Sequence, residues 1–167
     1  KKTNIHEILE RVRSLILSEF SSDITFIRDY DVSLPEFIVD REKLIQAILN
    51  IARNGAQAMK LNNQDNMQLS FITRAERQIV FRKKKHATAI RIDIIDNGPG
   101  IKNELIDKIF FPLVTGKENG SGLGLSLSQN LISLHQGMID CHSVPGKTVF
   151  SIILPIENNL MPTKEKK

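Results

Sequence analysis

Asp96 opens the run Asp96-Asn97-Gly98-Pro99-Gly100-Ile101, and a second glycine cluster follows as Gly120-Ser121-Gly122-Leu123-Gly124-Leu125. Between them stand Phe110-Phe111-Pro112-Leu113 and Thr115-Gly116-Lys117. An ionised carboxylate accepts hydrogen bonds only, and an exocyclic amine such as adenine carries would suit it. A glycine loop that opens onto a helix leaves first-turn N–H groups free at the positive end of the helix dipole. An anion there gains about 0.3–1 kcal/mol per charge. Lys117 adds a cation beside that loop. Earlier in the chain Asn50 and Asn54 lie four apart, so a helix places them on one face. Ala47, Ile51 and Ala58 make that face otherwise apolar, and a buried carboxamide needs a partner. Two in register suggest a polar ligand or a hard cation, and Gly55 beside them permits close approach.

Each feature also has a plainer reading. The second cluster alone is balanced between a phosphate loop and a flexible linker ending in a helix cap. A dinucleotide fingerprint needs a strand immediately before it, and residues 115–119 are polar loop. Gly146-Lys147-Thr148 could end a Walker loop, but Cys141 stands where its first glycine belongs. Asp96 alone could be a turn-forming residue at a strand end. The run Arg82-Lys83-Lys84-Lys85 reads as a solvated face rather than a nucleic-acid surface, since Phe81 is the one aromatic beside it.

The elements that position these residues follow from periodicity. Residues 4–19 predict an amphipathic helix, with Ile5, Ile8, Leu9, Val12, Leu15 and Ile16 at helical spacing and Asn4 as cap. Residues 24–28 and 37–39 predict short strands around a turn at 31–35. Asp40 caps a helix to about Lys60, whose wide apolar face holds Leu44, Ile45, Ile48, Leu49, Ile51 and Ala52. A polar loop at 62–66 leads to strands at 67–73 and 87–95, the second with Ile90, Ile92 and Ile94 alternating with polar residues. Residues 74–86 read as a basic hairpin excursion. A short helix is predicted at 103–109 and a further one at 125–135, stopped by Gly137. Strands at 138–143 and 148–155 meet around Pro145-Gly146. Because the late strands follow one another they should pair antiparallel. The expected fold is α+β, a two-layer α/β sandwich with a mixed, mostly antiparallel sheet and helices on one face. One domain over residues 1–157 and a polar, frayed tail at 158–167 are expected.

Composition sets outer bounds. The chain has 167 residues, 41% hydrophobic and 25% charged, with net charge +4 and pI 9.3, ordinary for a soluble domain with a mild basic bias. A single cysteine excludes an internal disulfide and a cysteine metal cluster, and agrees with a reducing compartment such as the cytoplasm. No apolar run reaches the roughly 18 residues of a membrane span. The chain begins at Lys1, which reads as a fragment of a longer protein.

The motifs together resemble one family. Asn50-Ile51-Ala52-Arg53-Asn54-Gly55-Ala56 looks like the N box of histidine-kinase ATP-binding domains. Asp96 to Ile101 is similar to the first glycine box, Phe110 to Leu113 to the F box, and Gly120 to Leu125 to the second glycine box. Their order is the family's, over residues 5–155. Asn4-Ile5-His6-Glu7, Tyr30-Asp31, Ser33-Leu34-Pro35 and the basic excursion look like the nitrogen-regulation sensor kinases of the NtrB type.

The resemblance implies a Bergerat-type ATP fold binding ATP and Mg²⁺. Asp96 would take the adenine amino group. Gly98, Gly100 and Ile101 would bring backbone to the base, and Asn54 would hold Mg²⁺. Residues 110–121 would form a lid. Lys117, with Gly120, Gly122, Leu123, Gly124 and Leu125 at the start of the helix, would face the phosphates. Asn50, Asn54 and Lys117 would be the catalytic set. ATPase members of the wider superfamily carry a water-activating glutamate where Asn50 stands, so transfer to a protein is favoured over hydrolysis. Gln57 occupies a position where many members have lysine, leaving Lys117 or Arg53 to neutralise phosphate. His6-Glu7 begins a phosphoacceptor motif, but Arg11 replaces its proline, and His6 is expected to be an exposed helix residue. The acceptor would lie on a separate dimerisation domain. A response regulator of the NtrC type and a PII signalling protein are the implied partners, with no direct nucleic-acid or membrane contact. The competing reading is a non-catalytic module that binds nucleotide and switches a partner.

Overall fold

A computed structural model describes residues 1–20, 23–81, 83–112 and 124–156, with the backbone alone for Phe81. The described elements run β1 (Lys2–Thr3), α1 (Ile5–Phe20), β2 (Ile24–Asp29), β3 (Phe37–Ile38), α2 (Arg41–Leu61), β4 (Met67–Phe81), β5 (Lys84–Asp96), α3 (Asn103–Ile106), α4 (Gly124–Leu134), β6 (Met138–Val144) and β7 (Lys147–Pro155). Five strands form one sheet in the order β2-β4-β5-β7-β6. Only β2 and β4 are parallel. The helices pack on one face of this sheet, giving the expected two-layer α/β sandwich. β1 and β3 pair with each other, apart from the main sheet. Two residues are too few to show a period, so β1 has no signature in the sequence.

Alternation builds the core. Ile90, Ile92 and Ile94 of β5 stand opposite Leu154, Ile152 and Phe150 of β7, all buried on the helix side. From α1, Ile5, Ile8, Leu9, Val12 and Ile16 meet them, and from α2, Leu44, Ile48, Ile51 and Met59. Each fully buried Leu or Ile contributes about 1.5–3 kcal/mol, so this shared face fixes where α2 lies over β5.

The ends of α2 and α4 are set by local chemistry. Asp40 accepts from Lys43 N at 3.2 Å, capping α2. At the other end Asn63 is left-handed (φ 48), with Asn63 N donating to Lys60 O and Gln64 N to Met59 O. That pair of bonds satisfies orphan carbonyls of the last turn. α4 ends the same way at Gln136 (φ 60), with bonds from Gln136 N to Ser133 O and Gly137 N to Ile132 O. The left-handed residue of this stop is Gln136, one before Gly137. Gly137 is needed for close packing, since a Cβ there would lie 2.7 Å from Ile153 O and from Leu154 Cδ2.

Two further differences from expectation have physical causes. Strands β4 and β5 do not stop at residues 73 and 87; their pairing runs on to Phe81 opposite Lys84. β2 flanks β4 only to Ile72, and β7 flanks β5 only from Ala89, so residues 77–81 and 83–88 leave the sheet as a two-stranded ribbon. The helix predicted over 103–109 is reduced to the four residues of α3. Beyond it the chain tightens into bonds from Lys108 N to Leu105 O and Phe111 N to Lys108 O. This buries Ile109 and sets Phe110 edge-on to Phe150, centroids 6.2 Å apart.

Candidate functional site

The site is built where α2 crosses the ends of β5 and β7. Asp96 is the last residue of β5 and is 7% exposed. Its carboxylate lies over α2 at Gly55, where an added Cβ would meet Asp96 Oδ2 at 2.8 Å. The Gly98 N–H donates to Asp96 Oδ1 at 2.9 Å. A Cβ on Gly98 would also lie 2.8 Å from that oxygen and 3.2 Å from Met59 Cγ. Both glycines are therefore bare because the carboxylate occupies the space a side chain would need. A carboxylate accepts at about four positions, and the Gly98 N–H takes one of them.

The segment after Asp96 is held against the β6–β7 turn. Gly146 N donates to Gly98 O at 2.9 Å, and Ile101 N to Ser143 Oγ at 2.8 Å. Gly100 has φ +87, and a Cβ there would lie 2.9 Å from the Val144 carbonyl oxygen. Side-chain residues are strained at that φ, and the neighbouring backbone cannot yield, so the position requires glycine. Ser143 Oγ is 2.7 Å from Thr148 Oγ1. Thr148, 3% exposed, is the cross-strand partner of Asp96 on β7. The sequence offered it only as the end of a failed Walker match; the signal was its register opposite Asp96, which needs the sheet.

Asn50 and Asn54 are both half-buried on α2, and Asn54 immediately precedes the Gly55 that faces Asp96. Asn50 Nδ2 donates to Gly124 O at 3.4 Å. Ser128 Oγ lies 2.8 Å from Ala47 O and 3.1 Å from Gly124 O, so the first turn of α4 is tied to the asparagine face of α2. Thus Asn50, Asn54, Asp96, Gly98, Gly100, Ile101, Gly124 and Leu125 come from elements packed against one another. Lys117, Gly120, Gly122 and Leu123, with most of the expected lid, lie outside the described residues.

Arg53, the alternative to Lys117 as a phosphate-neutralising cation, is paired with Glu19 in this structure. Its guanidinium makes a two-pronged ion pair with Glu19 of α1, Nε to Oε2 at 2.9 Å, and that bond holds the Glu19 carboxyl below the usual range. His6 is not the exposed residue predicted. It is half-buried, stacked on Tyr30 with centroids 4.5 Å apart, and its Nε2 is 2.9 Å from Thr73 Oγ1. Burial pushes its pKa down, against the opposing charges of Asp31 and Glu10. The sequence motifs around His6 and Tyr30 thus meet in one knot whose hydroxyl, Thr73 Oγ1, also accepts from Asp31 N. His135 joins two helices: Nε2 accepts from Asp40 N at 3.2 Å and Nδ1 donates to Leu131 O at 2.8 Å.

The donor chemistry suits a nucleotide with a hard cation. Gly55 and Gly98 give room to the buried Asp96 acceptor, and Asn54 beside them carries an amide oxygen. Among the described residues no three His, Cys, Asp or Glu side chains converge as a metal cage, so such an ion would take most ligands from phosphate and water. No described helix is long and apolar enough to cross a membrane.

Residues 39–158 match the family described as histidine kinase-, DNA gyrase B-, and HSP90-like ATPase. The chain is 49% identical over 158 residues to the sensory histidine kinase/phosphatase NtrB of Vibrio alginolyticus, covering 93% of this chain and 45% of that protein. It is 38% identical to the NtrB of Rhodobacter capsulatus, covering 93% and 44%. The chain therefore spans less than half the length of these relatives. Among solved structures it is similar in fold to the mycobacterial sensor histidine kinase MprB, with TM-score 0.76, 21% identity, and 93% and 98% of the two chains covered. It is also similar to histidine kinase ThkA in complex with the response regulator TrrA, with TM-score 0.68, 22% identity, and 93% and 41% covered.

Proposed function

The chain belongs to the histidine kinase-, DNA gyrase B- and HSP90-like ATPase family, and on that premise we propose that it is the ATP-binding catalytic module of a nitrogen-regulation sensor histidine kinase. The observation that carries this reading is the buried Asp96 carboxylate seated over bare Gly55, one residue along α2 from Asn54. Asp96 accepts from the adenine amino group, while Gly98, Gly100 and Ile101 offer close backbone. Thr148 stands beside Asp96 as a second polar group at the base. Asn54 would hold Mg²⁺, and Asn50 fixes the start of α4 through Gly124 O. Gly124 and Leu125 present that helix start to the phosphates, with Gly120, Gly122, Leu123 and Lys117 supplying the preceding loop and its cation. When bound, Mg²⁺ neutralises phosphate charge and orients the terminal phosphoryl group.

Phosphoryl transfer needs positioning and charge neutralisation more than covalent help from the protein. With Asn50 in place of a general base, this chain has no carboxylate there to activate water, so the γ-phosphoryl goes to a histidine on the protein's own dimerisation domain. Similarity to the NtrB proteins supports onward transfer to a response regulator of the NtrC type, control by a PII signalling protein, and a cytoplasmic location. The test is a calorimetric ATP titration with and without Mg²⁺, followed by mixing with the acceptor domain and γ-labelled ATP. Tight binding should require Mg²⁺, and label should appear on the acceptor domain alone. Label on any of this chain's own four histidines, or rapid hydrolysis without acceptor, would overturn the proposal.

A further inference from the structure

The loop after α2 lies outside every nucleotide motif, yet its Gln64 reaches into the first glycine box. Gln64 Nε2 donates at 2.9 Å to both Asn97 O and Asn97 Oδ1, and lies 3.2 Å from Asn66 O. Asn97 in turn continues the β4–β5 ladder one step beyond Asp96. Its backbone N donates to Gln68 O, its Oδ1 accepts from Gln68 N at 2.9 Å, and its Nδ2 donates to Asn66 O at 2.8 Å. The aim of Gln64 is set by the left-handed Asn63, which turns the chain back after the last turn of α2. That same turn carries Met59 against Gly98. α2 and its cap thus touch the Asp96 segment at three successive points: Gly55 under Asp96, Met59 under Gly98, and Gln64 on Asn97.

We infer that Gln64 is a positioning residue for the adenine-reading carboxylate, acting through Asn97; this rests on the nucleotide-site reading above. Asp96 and Gly98 flank Asn97, and one of the two carboxylate oxygens is fixed by the Gly98 N–H. Any swing of the peptide at Asn97 therefore moves both the carboxylate and the donor that orients it. The Gln64 amide bonds the Asn97 carbonyl and side chain together, which opposes that swing. Because Gln64 sits on the cap of the helix bearing Asn50 and Asn54, it also keeps the base end of the site in step with the cation end.

The test compares Gln64→Ala and Gln64→Glu with wild type, using ATP and purine riboside triphosphate, which lacks the exocyclic amine. Gln64→Glu keeps the volume and removes the two N–H donors. Both variants should bind ATP about threefold to tenfold more weakly and bind the purine analogue within about twofold of wild type. The Gly98 amide should exchange faster with solvent in both, while the thermal midpoint stays within a few degrees. Equal losses for both nucleotides, or no loss for either, would overturn the inference while leaving the nucleotide site intact. A wild-type chain that does not prefer ATP over the analogue would instead remove Asp96 as the reader of the amine, and this inference with it.

Discussion

Replacing Gly55 by alanine should separate nucleotide binding from stability. The new methyl carbon would lie 2.8 Å from Asp96 Oδ2 and 3.2 Å from its Cβ and Cγ, whereas ordinary contact begins at 3.4 Å. The carboxylate must therefore retreat by about 0.6 Å, on a residue only 7% exposed. Overpacking of this kind costs about 1–3 kcal/mol. Alanine in a helix interior regains about 0.8–1 kcal/mol over glycine. The net loss is about 0–2 kcal/mol, and at about 2–4 °C per kcal/mol for a chain of this size the thermal midpoint should fall by no more than about 8 °C. Binding should suffer more. A charge-assisted hydrogen bond is worth about 1.5–3 kcal/mol, so its loss corresponds to roughly a 10- to 150-fold rise in Kd. Calorimetric titration with Mg·ATP beside thermal denaturation separates the two effects. ATP affinity within twofold of wild type and an unchanged midpoint would mean that the bare backbone at Gly55 does not shape the site.

The other expectations concern single contacts. Asp96→Asn should weaken adenine-nucleotide binding by about 1–3 kcal/mol with the fold retained, and unchanged affinity would remove Asp96 from the site. Gly100→Ala combines a left-handed φ with a backbone clash, and should cost at least about 1–2 kcal/mol in urea denaturation; a cost below that range means the turn relaxes freely. Arg53→Ala breaks a surface ion pair and should lower stability by less than about 1 kcal/mol while leaving ATP affinity unchanged, an outcome a phosphate-binding Arg53 could not give. His6 has a folded pKa held below its ordinary value by burial, so the folded protein binds that proton less readily than the unfolded chain. Stability should be full above the ordinary histidine value and fall as pH drops through the folded pKa, a slope that His6→Phe, which keeps a ring against Tyr30, should flatten in urea melts between about pH 7.5 and 5.

Local and periodic features were legible in the chain. Alternating Ile90, Ile92 and Ile94 declared a half-buried strand, and Asn50 and Asn54 declared a polar line on an apolar helix face. What could not be read were pairings set only by tertiary register. Thr148 comes to Asp96 only because β7 lies antiparallel to β5 in that register. The pairing of Arg53 with Glu19, 34 residues away on α1, had no sign in the sequence either. His6 read as exposed because its neighbours arrive from elsewhere in the fold, Tyr30 from just past β2 and Thr73 from β4. Gly137 illustrates a different limit: a glycine after a helix signals a left-handed residue, yet here contact with β7 demands it and Gln136 takes the unusual φ.

Residues 77–88 concentrate the positive charge of the chain. Those positions hold Arg77, Arg82, Lys83, Lys84 and Lys85 and no Asp or Glu. Of 23 basic and 19 acidic residues in the chain, 18 and 19 therefore remain elsewhere, so the body alone would carry −1 rather than +4. The pI of 9.3 is a property of this appendage. The protein should adhere to a cation exchanger chiefly through these residues. Trimming the ribbon to a tight turn at the sheet edge would reverse the sign of its migration at neutral pH.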